Sequence, residues 1–368
     1  MKTIRRLIYG EVLYAVAFVT LGFLSLFFFF DLVEEIQSLG RPAAADYGLV
    51  HALTYVTLMI PSHLYELLPI TVLIGTIFVM ARLAQSSEYT ILRTSGLGPW
   101  RALKTLLLLG LGFVLLTFAI GDYISPPADR SAQLLKARYQ GSITMGQTGA
   151  WLKEKQGYAQ YAVNVNALAS DGSMQGVRLF EFDNQGFLVS MAQAEAASFE
   201  GDESWSLSRV DRTEFPARGT DSARIDRTRI DSFRWPNQIS AEMVSAALLK
   251  PERMSTIDLF EYIRHLDANE QTAQRYEIEF WRKVFYPLSC LVMVVLALPF
   301  AYLHFRSGGI AIYVFGGVMA GISFFLLNNV FGHIGNLQNW QPWLTAALPG
   351  MLYSLLSLTA FGWLVLKR

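Results

Sequence analysis

The residue types best suited to a specific task sit between two long apolar runs. They read Ala84-Gln85-Ser86-Ser87-Glu88-Tyr89-Thr90-Ile91-Leu92-Arg93-Thr94-Ser95-Gly96-Leu97-Gly98-Pro99-Trp100. Ser86 or Ser87 can cap a helix, and Glu88 would then fall in its first turn, where the helix dipole favours an acid. Gly96 and Pro99 end it. The spacing predicts a short helix over about 86–96 with Tyr89, Ile91 and Leu92 on view. Such a helix can lie in a membrane surface, or it can dock into a groove on a partner protein.

Other chemistry finds little support. The chain contains no G-x-x-x-x-G-K-[ST] phosphate loop and no G-x-S-x-G nucleophile elbow. The five histidines, His51, His63, His265, His304 and His333, have no metal-ligand spacing, and no metal site is expected. Cys290 is the one cysteine, so an internal disulfide and a cysteine metal cluster are both excluded. It reads as a small buried hydrophobe. The glycine pairs Gly308-Gly309 and Gly316-Gly317 lack a following lysine; with Gly321 they read as sites of close helix packing.

The elements that must position the short helix follow from composition. The 368 residues are 52% apolar and only 16% charged, against about a quarter charged in a soluble domain. Thirty basic residues balance thirty acidic ones, which argues against a nucleic-acid partner. The apolar residues cluster. Ile8 to Phe30, Thr57 to Leu83, Leu103 to Ile120, Val284 to Tyr302, Ile310 to Phe331 and Leu344 to Leu366 are six candidate spans of about the twenty residues that a bilayer core demands. The first is too long, and has no cleavage site, to be a signal peptide. Pro61 and Pro69 predict kinks in the second, and Glu66 should face protein, water or headgroups.

With six spans, Lys2, Arg5 and Arg6, then Arg82, Arg93, Arg101 and Lys104, then Arg306, and finally Lys367-Arg368 all fall on one side. The positive-inside rule makes that side cytoplasmic, so both termini are expected there. The region from about Ser125 to Arg275 lies on the other side and alternates with period two at 161–166, 177–182 and 205–210. Turn signals at Asp171-Gly172, at 183–186 and at Gly201-Asp202 separate these strands, which predicts an all-β sandwich or roll. From Ser255 the period becomes helical: Ser255 and Asp258 form a capping box, with Leu259, Phe260, Ile263 and Leu266 assigned to one face. The expected fold is thus an α-helical membrane protein with six transmembrane helices and an inserted all-β domain. Residues 1–124 hold spans one to three, 125–254 the β domain, 255–275 a helical connector, and 276–368 spans four to six.

Leu67-Leu68-Pro69, Arg82-Leu83-Ala84-Gln85-Ser86-Ser87-Glu88 and Arg93-Thr94-Ser95-Gly96 resemble the YjgP/YjgQ (LptF/LptG) permeases, the membrane subunits of the lipopolysaccharide export ABC transporter. Arg275-Tyr276-Glu277, Trp281-Arg282-Lys283, Tyr286-Pro287-Leu288 and Gly321-Ile322-Ser323-Phe324 extend the resemblance over nearly the whole chain. Of the two paralogues, the 87–98 stretch looks more like LptG. The resemblance implies a heterodimer with an LptF-like permease, two LptB-like ATPase subunits that hold the ATP and Mg, an LptC-like protein and a periplasmic bridge, in the inner membrane of a Gram-negative bacterium. This chain would bind no cofactor and catalyse nothing itself. The 86–96 helix would couple to the ATPase through Ser86, Ser87, Glu88, Tyr89, Ile91, Leu92, Arg93 and Gly96, with Glu88 and Arg93 as polar contacts. Lipopolysaccharide would enter from the outer leaflet through lateral gates made by span one of one subunit and span five of the other, then pass to periplasmic β-jellyroll domains.

An acyl cluster needs an apolar, adaptable wall. Phe23, Leu26, Phe27 and Phe30 of span one can supply it, as can Phe315, Ile322 and Phe325 of span five, and Phe325 matches an aromatic position that the family turns to its cavity. Phe180 and Phe182 are candidates for the periplasmic route. One departure concerns phosphate recognition: the stretch after span one, Asp31-Leu32-Val33-Glu34-Glu35, is acidic where the family often has lysines. Arg41, the partner subunit or bridging divalent cations remain as phosphate ligands. Alternatives are the LptF paralogue, a lipoprotein permease, a membrane enzyme, or a membrane-anchored periplasmic lipid-binding or assembly protein without a pump.

Overall fold

The computed structural model describes residues 2–37, 47–140, 149–157, 159–169, 172–200, 204–216, 225–237, 239, 244, 251–302 and 310–363. They form two compact units. The first comprises 1–33, 59–128 and 277–368, and the second 34–58 and 129–276. Arg41, Arg306 and the Gly308-Gly309 pair lie outside the described residues.

The first unit is helical. Helix α1 runs Lys2–Ile36 and α2 runs Leu49–Gln85. A helix of thirty-seven residues is about 55 Å long, well beyond a hydrocarbon core of about 30 Å, so both rods outrun their apolar windows. Pro61 and Pro69 both lie inside α2. The short α3 spans Glu88–Thr94, and α4 starts at Pro99 and runs to Ala119. A π-helical turn, Ile120–Ile124, joins α4 to α5, Ser125–Gln140.

Later in the chain come α6 (Thr256–Ala268), α7 (Gln274–Phe285), α8 (Ser289–Ala297) with a 3-10 turn Leu298–Tyr302, α9 (Ile310–Leu337) and α10 (Pro342–Phe361). Among the described residues five helices are long and apolar enough to cross a membrane, and 274–285 with 289–302, taken as one span bent by 46°, make a sixth. The bend falls at Pro287, whose missing N–H interrupts the ladder.

Glycines set the helix spacing. A side chain at Gly75 of α2 would strike the backbone of Val16 in α1. Gly317 and Gly321 of α9 lie against Ile77 and Ile70 of α2, the close packing that their spacing suggests. Thr20 donates to Thr71 across the α1–α2 contact, at 2.9 Å. Cys290 is fully buried, 3.3 Å from the Thr117 hydroxyl.

The described residues of the second unit hold one sheet of six antiparallel strands in the order β1-β2-β3-β4-β5-β6, each paired with its neighbour in sequence. They are β1 Ala150–Gln156, β2 Ala159–Leu168, β3 Met174–Phe182, β4 Leu188–Phe199, β5 Ser204–Glu214 and β6 Asp226–Pro236. The register places Leu152, Val163, Leu179 and Ala192 in one row, all buried. Further along this face the row becomes polar: Tyr161 and Ser190 both donate to Glu181, at 3.3 and 2.6 Å. Burial, with Glu181 beside it, pushes the Tyr161 phenol upward. At the 183–187 turn, Asp183 Oδ1 accepts from the backbone N–H of Gln185 and of Phe187.

Helix α6 begins with the expected capping box, in which the Ser255 side chain accepts from the Asp258 N–H while Asp258 accepts from that of Ser255. Its buried face is Leu259, Tyr262 and Leu266; Phe260, assigned to that face from sequence, is 51% exposed. Leu259, Tyr262 and Leu266 recur at three and four residues, so Phe260, one step from Leu259, points elsewhere.

Candidate functional site

The segment between α2 and α4 forms a helix, tighter than its sequence suggests. It covers 88–94, and its entry is corrected in one respect. Neither serine caps it: Ser87 sits in the left-handed region at φ 59° and its side chain accepts no cap bond, while the Ser86 hydroxyl donates to the Leu83 carbonyl. The cause is the direct hand-over from α2, whose last turn still claims Ser86 and Ser87 through N–H bonds to Arg82 and Ala84. The exit is as expected. Gly96, at φ +99°, donates its N–H to the Arg93 carbonyl and Leu97 donates to Leu92, the paired bonds of a glycine helix terminator. Gly98 then precedes Pro99 at the first position of α4.

A second correction concerns which face is presented. Tyr89 is 3% exposed and therefore not on view. It joins the buried cluster that contains Ile8 and Val12 of α1, Leu106 of α4, and Leu298 and Tyr302, with Leu92 packed against it. The Tyr89 and Tyr302 rings meet edge to face at 5.2 Å, and the Arg93 guanidinium lies over Tyr302 at 5.7 Å. A seven-residue helix has too little apolar surface to stay folded alone, and one large anchor turned inward holds it to the bundle. Glu88, Ile91 and Arg93 stay exposed. That leaves a small patch, one apolar side chain between an acid and a base.

Of the proposed lipid wall on α1, Leu26 and Phe30 are exposed, Phe23 is half-buried, and Phe27 is half-buried against His63 at 5.0 Å. On α9, Phe315 and Ile322 are exposed and Phe325 is half-buried, while its neighbour Phe324 is buried against Tyr353 and Tyr286. Phe180 stacks on Trp151 at 5.8 Å, and by strand parity Phe180 and Phe182 lie on the face opposite Leu179. Arg41 lies outside the described residues.

The acidic stretch after span one has partners of its own. Asp31 Oδ2 is 2.6 Å from His63 Nε2. Glu35, nearly fully buried, accepts from Lys136 Nζ at 2.9 Å, and Lys136 also lies over the Tyr55 ring. These carboxylates tie α1 to α2 and α5.

Sequence reasoning missed one group altogether. Lys283, in α7 just before the bend, is buried and donates to the Gly121 carbonyl at 2.9 Å. Its acceptor belongs to the π turn, where the regular helical ladder is broken. Lys283 Nζ also faces the Tyr65 ring. Beside it Arg282 pairs with Glu279 at 2.7 Å and donates to Asn329 at 3.2 Å, and the Tyr286 hydroxyl donates to the Glu66 carbonyl. The signal was available: charges next to an apolar run are costly in a bilayer unless held by protein. Among the described residues no group of three His, Cys, Asp or Glu side chains could hold a metal ion.

Among the described residues, five long apolar helices with a bent sixth span, a tethered interhelical segment and an inserted antiparallel sheet define a multi-pass membrane protein with an inserted β domain. The family model of the lipopolysaccharide export system permeases LptF/LptG matches residues 6–364. The chain belongs to this family. It is 27% identical over 340 residues to the lipopolysaccharide export system permease protein LptG of Escherichia coli strain K12, covering 92% of this chain and 91% of that one. The Haemophilus influenzae protein of the same name is 26% identical over 371 residues, covering 100% and 99%.

Proposed function

We propose that this chain is the LptG-type subunit of an ATP-driven lipopolysaccharide exporter, paired with an LptF-like permease. Two cytoplasmic LptB-like ATPases bind the ATP and Mg, and an LptC-like protein and a periplasmic bridge receive the lipid. The names of the relatives support LptG over LptF. Basic residues at 5, 6, 82, 93, 101 and 104 support a cytoplasmic position for α3 and both termini, and hence a periplasmic sheet.

The observation that carries the reading is α3 itself. Its glycine exit and its Tyr89 anchor fix a short helix, while Glu88, Ile91 and Arg93 are left for a partner. A rigid knob of this kind transmits a push, because it cannot yield without unseating Tyr89 from the bundle. Leu26, Phe30, Phe315 and Ile322 are exposed on α1 and α9, and they suit a lateral gate for acyl chains.

Glu88→Lys tests the coupling role. The variant should insert and fold, yet fail to co-purify with the ATPase and fail to export. Retained ATPase association together with normal export removes α3 from the coupling role and favours a lipid-binding protein without a pump.

A further inference from the structure

Below α3 the helical unit contains a cavity of about 210 Å³ lined by Ile4, Arg5, Leu97, Arg101, Lys104 and Thr105. Three of six lining residues are cations, and none is acidic. Among the described residues no carboxylate comes within ion-pair distance of any of the three. Arg101 is oriented by its bond from Nη1 to the Gly96 carbonyl, at 3.1 Å. Tyr9 of α1 braces the wall by donating to the Thr105 carbonyl, at 3.0 Å. The apolar floor is Ile4 and the buried Leu97.

What lies next to the cations indicates the ligand. Arg101, Lys104, Leu108, Leu111 and Leu115 recur at three and four residues, so they share one stripe of α4. All five are exposed. The apolar part of this stripe begins one turn beyond Lys104. From Lys104 to Leu115 the helix rises about 16 Å, which matches the roughly 15 Å depth of one leaflet. A free anion would use only the cations, and an acidic protein surface would have no use for a leucine lane running into the membrane.

We propose that this cavity and stripe bind one anionic phospholipid. Its headgroup phosphate sits among Arg5, Arg101 and Lys104, and one acyl chain lies along Leu108, Leu111 and Leu115. Basic pockets at the membrane face of helix bundles are suited to this chemistry. Because Leu97 and Gly96 close α3, the headgroup sits under the segment proposed to meet the ATPase, and an occupied pocket braces that segment from the membrane side. The assignment to the cytoplasmic leaflet rests on the orientation proposed above; the site itself does not.

Native mass spectrometry of the purified full-length protein in detergent, titrated with phosphatidylglycerol, tests the site. Phosphatidylglycerol should bind in preference to phosphatidylcholine. Arg5→Gln and Lys104→Gln should each weaken binding about fivefold, the effect of one interfacial charge. Lys104→Arg should retain it, and Arg6→Gln, one residue outside the pocket, should leave it unchanged. A photo-crosslinker at Leu111 should capture the lipid, and Lys104→Gln should reduce the adduct. An equal loss with Arg6→Gln overturns the site in favour of a diffuse surface field. Competition by millimolar inorganic phosphate, with no Leu111 adduct, overturns it in favour of a free-anion site. Labelling of Thr94→Cys in cells by an impermeant maleimide reads orientation separately. Labelling from outside sinks the leaflet assignment, whereas the affinities in detergent judge the pocket alone.

Discussion

Two ends of the helical unit use similar residues in opposite ways. Near the π turn and the bend before α8, charge is paired and partly buried: Lys283 on the Gly121 carbonyl, Arg282 on Glu279, His63 on Asp31. Near α3, Glu88, Arg93, Arg5, Arg101 and Lys104 are exposed, and the buried anchor is an aromatic ring, Tyr89. A buried charge is costly unless every bond is met, so the paired end gains its geometry at the expense of adaptability. The exposed end keeps its charges solvated and available to partners. Substitutions should therefore separate: stability losses at one end, losses of association at the other.

The sharpest test is Gly121→Val. A Cβ there would run into the Tyr65 ring, and a valine adds more volume still. Overpacking of this kind should cost about 3 kcal/mol, read as a lower thermal midpoint in detergent. Lys283→Met keeps the length of the side chain and removes its donor. It should cost about 1–2 kcal/mol for the orphaned Gly121 carbonyl, in the same assay. If it costs nothing, the paired end is no more structural than the exposed one.

A smaller effect is expected from His265 in α6, where burial holds the imidazole below its ordinary value of 6.5. As pH falls, the unfolded chain takes up the proton first. The contribution is complete above that value and declines as pH drops toward the folded-state value. The thermal midpoint should fall with acidification more steeply in the wild type than in His265→Gln, and parallel curves would exclude this linkage. Least of all, Glu88→Lys should change stability by no more than about 0.5 kcal/mol. A large loss there would show that the exposed end is also structural.

The sequence made the spans legible because hydrophobic length is a physical requirement that few substitutions can hide. Alternation at 161–166, 177–182 and 205–210 likewise located β2, β3 and β5, since half-buried strands must alternate. It did not carry the neighbour-to-neighbour strand order, which depends on turn geometry and long-range pairing. At α3 the glycine exit was legible and the serine entry was not, because a cap presumes a free helix start and α2 ends one residue too close. Tyr89 was misplaced because seven residues make barely two turns, too few for a pattern to say which side faces protein. Lys283 looked like an ordinary flanking charge; its bond to the Gly121 carbonyl depends on the π turn, a long-range pairing that no local pattern announces.

The glycine contacts of α2 have a mechanical consequence. Val16 of α1 meets Gly75 backbone to backbone, and Gly317 and Gly321 of α9 receive Ile77 and Ile70. The two seams differ: at Gly75 backbone lies against backbone, whereas at Gly317 and Gly321 the Ile77 and Ile70 side chains key α9 to α2. Any side chain larger than hydrogen at these three positions would push the rods apart, so the spacing of α1 and α9 from α2 is set at three glycines.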